Sequence, residues 1–118
     1  MLSNMQSKYH YDKEVDDLII SNKGSDEIVE KNFMFDNFVI SVTKDGKIVG
    51  LEIMNLSNVL REYGLDLNIL ESFQSVELEI VPKEDFVLIS VSFDVEEEGC
   101  IVERKIAVTH LPIQFAHN

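Results

Sequence analysis

Apolar and polar residues alternate most clearly on either side of Asp45-Gly46. Gly46 accepts the positive φ that tight hairpin turns demand, so the flanking runs are expected to form a β-hairpin. With a two-residue loop, Thr43 faces Ile48, Val42 faces Val49, Ile40 faces Leu51 and Phe38 faces Ile53. Opposed side chains share a face, which makes Phe38, Ile40, Val42, Val49, Leu51 and Ile53 one apolar surface. A three-residue bulged loop pairs Val42 with Ile48 and Ile40 with Gly50, setting apolar positions against Gly50 and Glu52. The pattern favours the two-residue register, because a slip of one residue turns every side chain over.

Helical spacing follows at once. Leu56, Val59, Leu60 and Tyr63 share one face, Asn55 suits the N-cap and Gly64 the left-handed stop. Asp66 is placed to cap a second short helical piece with Leu67, Leu70 and Phe73 on its apolar side. Before the hairpin, Tyr9 and Tyr11, Leu18 to Ile20, and Ile28 to Phe35 predict three more strands separated by polar turns. After the helical segment, Val76 to Ile80, Phe86 to Val95 and Ile101 to Leu111 predict three further strands, the last halted by Pro112. The fold class expected is α+β: a mainly antiparallel sheet of seven to eight strands in two blocks, with one central helical segment. A single domain over residues 1–118 is expected, divided near residue 64.

Charge narrows the partners. The chain of 118 residues carries a formal net charge of −12. A phosphate backbone is repelled by such a surface, so nucleic-acid binding is not expected. No apolar run approaches the roughly 18 residues of a membrane span, and the start is polar, so a cytoplasmic protein without a membrane partner is expected. Cys100 is the single cysteine, which leaves no intrachain disulfide and no cysteine-based metal cluster.

Two stretches resemble a known family. Tyr11-Asp12-Lys13-Glu14-Val15-Asp16-Asp17-Leu18-Ile19-Ile20 resembles the opening pattern Tyr-Asp-x-Glu-x-Asp-x-Leu-x-Ile. Asp45 to Ser57 resembles the closing pattern Asp-Gly-x-Ile-Val-Gly-Ile-Glu-Ile-x-x-x-Ser. These patterns belong to the small prokaryotic group catalogued as domain of unknown function 2283, and the resemblance covers roughly residues 9–60. Where that family often carries an Asp two to four residues before the turn, this chain has Ser41 and Thr43. The resemblance implies a small β-rich module with no established activity, and an antitoxin-like role beside small toxin-like proteins.

Candidate chemistry is sparse. Asp12, Glu14, Asp16 and Asp17 offer oxygen ligands for a hard cation, but no Asp-x-Asp-x-Asp-Gly loop is present, and a solvated turn with one carboxylate tying down backbone N–H groups is the simpler reading. His10 and His110 bracket strands and meet only if the fold brings them together, so the metal candidates are His10, His110, Asp12 and Asp16. Glu52 sits in an apolar strand, either as a general base of raised pKa or, more simply, on the outer side of a sheet. Gly50 opposite Ser41 leaves a bare spot there. Cys100 beside Glu96, Glu97 and Glu98 is a poor nucleophile. Neither a phosphate loop nor a nucleophile elbow occurs, so no enzyme, catalytic residue or cofactor is expected. The reading is a soluble acidic interaction module that pairs with itself as a homodimer, on the ground that the strand Phe86–Val95 needs cover on both faces. The alternatives are an antitoxin-like or regulatory partner of a small basic protein, and a small-ligand or divalent-metal binding domain.

Overall fold

The computed structural model describes residues 7–112, leaving aside the side chains of residues 109–112. Eight strands and two short helices follow in the order β1 (Lys8–Asp12), β2 (Asp17–Ser21), β3 (Val29–Phe35), β4 (Phe38–Thr43), β5 (Ile48–Ile53), α1 (Leu56–Glu62), α2 (Ile69–Ser72), β6 (Phe73–Pro82), β7 (Phe86–Glu97) and β8 (Cys100–Pro112). The first five form one sheet in the order β1-β2-β5-β4-β3 and the last three a second sheet in the order β6-β7-β8; every pairing is antiparallel. Among the described residues, no helix is long and apolar enough to cross a membrane.

Period-two alternation decides which side of each strand is buried. Leu18, Ile20, Phe38, Ile40, Val42, Leu51 and Ile53 from the five-stranded sheet join Leu56, Val59 and Leu60 of α1. The same buried cluster continues through Val76 and Leu78 of β6, Val87, Ile89, Val91, Phe93 and Val95 of β7, and Ile106 and Val108 of β8. Phe73 is the joint between the sheets: its ring meets Tyr9 at 5.8 Å, Tyr11 at 6.3 Å and Phe93 at 5.9 Å, edge-on or tilted. Part of the edge of β6 is met by side chains of β1 and of the residues that flank β1 and β2. The Leu78 N–H donates to Ser7 Oγ (2.9 Å), Asn22 Nδ2 donates to the Leu78 carbonyl (3.0 Å), and the Tyr9 hydroxyl reaches the Gln74 carbonyl (3.4 Å). Three backbone groups that a neighbouring strand would have taken, at Leu78 and Gln74, are thus satisfied within the chain.

The central hairpin combines both expected loop geometries. At the turn the bulged loop prevails: Gly46, at φ 86°, donates to the Thr43 carbonyl (3.0 Å), Thr43 N donates to Lys47 O (2.9 Å), and Val42 pairs with Ile48. One step on, a bulge makes Val49 the extra residue, and the remaining pairs are those of the two-residue register: Ser41 with Gly50, Ile40 with Leu51, Val39 with Glu52, Phe38 with Ile53. The bulge exchanges two side chains relative to expectation. Ile48 joins the core cluster, whereas Val49, 1% exposed, lies outside it.

The helical segment also differs in detail. Asn55 precedes α1 at φ 56° and makes no side-chain cap hydrogen bond. In the second helix Ile69 is the buried residue and Leu70 is half-buried; Leu67, also half-buried, precedes the helix, and Phe73 already belongs to β6.

Strand β7 finds its cover inside the chain. It is the middle strand of its sheet, with Val87, Ile89, Val91, Phe93 and Val95 at 2% exposure or less. On its other face Ser90 donates to Glu79 (3.3 Å) and Ser92 to Glu103 (2.7 Å), and Lys105 pairs with Glu79 at 3.0 Å. The ground for a partner at this strand is therefore removed: a hydrogen-bonded polar ladder lies where an apolar interface was expected.

Candidate interaction face

The side of the five-stranded sheet turned away from the core carries the most unusual surface. Register fixes its rows. His10, Ile19, Glu52, Val39 and Met34 lie side by side across β1, β2, β5, β4 and β3, and Lys8, Ser21, Gly50, Ser41 and Asn32 form the next row. Because Gly50 has no side chain, the second row sinks in its middle. A Cβ built there would lie 3.4 Å from the Ile20 carbonyl and 3.4 Å from Ser41 Cβ. The bulge adds Val49 to the wall, and the result is an open trough of about 450 Å³ bordered by Ile19, Met34, Val39, Val49 and Glu52. Ile19 is 48% and Met34 71% exposed, although both are large and apolar. They stand on opposite sides of the depression, with Glu52 and Val39 between them in the row, and exposed apolar side chains that frame a depression mark a contact surface more often than a lone exposed residue does.

Glu52 occupies the middle of the first row. The Asp17 carboxyl lies within hydrogen-bonding reach of it, and that contact, then partial burial and the like charge of Asp17, hold the Glu52 carboxyl above the ordinary carboxylate range. Glu52 thus lies on the outer side of the sheet, with its pKa raised by its neighbour Asp17. The folded state keeps a proton that the unfolded chain releases, so its stability falls as pH rises from the ordinary carboxylate range through the raised value. Glu52→Gln is expected to remove this loss, raising stability at neutral pH by roughly 0.2–1 kcal/mol, the cost of like charges on adjacent strands, with the gain shrinking in acid. Urea unfolding at pH 4 and pH 7 measures it.

The acidic turn of residues 12–17 has a structural task. Asp16, at φ 60°, sends its carboxylate to the start of α1, where Ser57 N–H donates to Oδ2 (3.0 Å) and Ser57 Oγ to Oδ1 (3.1 Å). Its carbonyl accepts from Leu56 N (3.0 Å), and the Tyr11 hydroxyl donates to Oδ1 (2.5 Å). Asp16 therefore does for the helix, across 41 positions of sequence, what Asn55 was expected to do. Burial, and then the bond to Asp16, push the Tyr11 hydroxyl up to about 12. Asp12 accepts from Glu14 N (3.0 Å), a local turn bond.

The metal candidates are not drawn into one centre. Asp16 is engaged by Ser57 and Tyr11, and His10 stands on the first sheet while His110 stands on β8 of the second, its side chain outside the described residues. No group of three or more His, Cys, Asp or Glu suited to a metal ion occurs among the described residues. Cys100 is exposed beside the β7–β8 turn. The joining of Tyr11, Asp16 and Ser57 was missed in the sequence. Its signal was present, since all three are fixed positions of the opening and closing family patterns.

No curated protein and no solved structure matches the chain. Residues 8–57, from the first residue of β1 to the Ser57 that Asp16 holds, match the model of the family described as Protein of unknown function (DUF2283), so the resemblance read from the two patterns holds over this part of the chain.

Proposed function

We propose that the protein is a non-catalytic interaction module of the cytoplasm that self-associates through the outer face of its five-stranded sheet. The observation that carries this is the trough, where Ile19 and Met34 stand exposed around the floor left by Gly50. Antiparallel sheets ordinarily solvate their outer face with polar residues, and apolar ones in a cluster gain by being covered. Charge selects the occupant. Lys23 and Glu52 are the charged residues of the lining, so the trough, with Asp17 at its edge, is only weakly charged on a chain of net charge −12. A basic partner would find only the Asp17–Glu52 pair to match, whereas a second copy meets a mainly apolar trough with less repulsion than the rest of the surface imposes. A two-fold contact of one face with itself is the commonest form of self-association.

Met34→Glu places a charge in the trough at a well-exposed site and leaves the fold intact. It is expected to raise the dimer dissociation constant at least about tenfold. Sedimentation equilibrium measures this, with Asn58→Glu on the exposed side of α1 as the control that adds the same charge without effect.

A further inference from the structure

Glu52 lines the apolar trough and Asp17 is its neighbour on the adjoining strand, so covering the trough changes the surroundings of this pair of carboxyls. We infer that docking of a second copy takes up a proton at Glu52, beside Asp17, so that self-association is favoured by mild acid and relaxed as pH rises. The inference rests on the proposed self-association and adds its regulation.

The geometry supplies the argument. Strand β2 brings Asp17 one step from Ile19, which faces Glu52, so both carboxyls stand on the same side of the sheet and in reach of each other. On the other flank β4 and β3 contribute Val39, Ser41, Met34 and Asn32, none of which titrates, with Asp36 in the turn between them. From β1 come His10 opposite Ile19, Asp12 opposite Asp17, and Lys8 opposite Ser21. Lys23, in the trough wall, is turned to the carbonyls of Gly24 (3.3 Å) and Glu27 (2.9 Å). The carboxyl pair thus meets acids, a histidine and apolar walls, and its repulsion is relieved most directly by a shared proton. Excluding water with a second copy strengthens that preference, because desolvation disfavours the charged form. A complex that holds more protons than its parts weakens with rising pH, by up to about tenfold per pH unit for each proton taken up.

The test is sedimentation equilibrium from about pH 5 to pH 7.5 at constant ionic strength. The dissociation constant of the wild type is expected to rise at least about tenfold over that range. Glu52→Gln is expected to dimerise tightly and nearly independently of pH, and Asp17→Asn serves the same purpose should Glu52→Gln not fold. His10→Gln is expected to keep the pH dependence. A wild-type dimer whose affinity does not change with pH, or a pH dependence that persists in both carboxamide variants, overturns the inference and leaves self-association standing. A monomer at every pH, in wild type and variants alike, overturns self-association itself and the inference with it.

Discussion

Phe93→Ala is expected to be the most damaging single substitution, costing roughly 3–5 kcal/mol, the usual range for emptying a buried aromatic site. The ring is fully buried in the middle of β7 and packs on Phe73, which in turn meets Tyr9 and Tyr11 of the first sheet. Its loss therefore removes packing within the second sheet and loosens the joint between the two. All three tyrosines, Tyr9, Tyr11 and Tyr63, precede β6, and the chain has no tryptophan. Tyr9 and Tyr11 pack on Phe73, and the Tyr63 hydroxyl donates to the Ala107 carbonyl of β8 (2.6 Å), so tyrosine fluorescence reports the junction of the two sheets. The tyrosine and far-ultraviolet dichroism transitions of the variant are expected to shift together to lower urea. A tyrosine transition that stays in place while the dichroism moves would mean that Phe93 does not support the joint.

Asp16→Ala is the second large effect, expected at roughly 2–4 kcal/mol. One carboxylate accepts from Ser57 N, Ser57 Oγ and Tyr11 Oη, and all three donors lose their partner at once. Alanine is also less tolerant than aspartate of the left-handed backbone at this position, where φ is 60°. Asp16→Asn keeps one acceptor and the backbone preference, so it should recover about half of the loss. Tyr11→Phe removes a single hydroxyl contact and should cost about 1 kcal/mol. Denaturant midpoints rank the three. If Asp16→Ala were no worse than Tyr11→Phe, the link from the turn to α1 would not hold the fold.

Runs of apolar and β-branched residues between polar turns made the strands legible, and alternation gave the buried side where a strand has one, as in β2 and β4. Leu18 with Ile20, and Val87 through Val95, announce their faces by that rule alone. Local spacing also placed α1. What escaped were features decided across long separations. Asn55 is a sound local cap, yet the turn at Asp16 arrives in space with a charged acceptor and displaces it. In the hairpin the loop geometry and the face pattern each demanded a register, and a single bulge at Val49 satisfied both; neither signal alone predicts a compromise. Ile69 was overlooked because a four-residue helix is too short for periodicity to show.

The interaction face was half legible. The bare spot at Gly50 opposite Ser41 and the outward setting of Glu52 followed from pairing. The apolar rim at Ile19 and Met34 did not, since it depends on β2 coming to lie beside β5 and on β3 taking the edge. The strand Phe86–Val95 misled for the opposite reason. Its apolar run is that of a central strand, and Ser90 and Ser92, which hydrogen-bond to Glu79 and Glu103, are the residues that close its second face.

The most direct test of self-association through this face is the mass in solution by light scattering over a dilution series, for the wild type and for Met34→Glu. At mildly acidic pH the account predicts twice the chain mass for the wild type at high micromolar concentration, falling on dilution, with little change at high salt, and the single-chain mass for the variant. A wild type that stays at the single-chain mass throughout, or a variant that dimerises as well as the wild type, would contradict it.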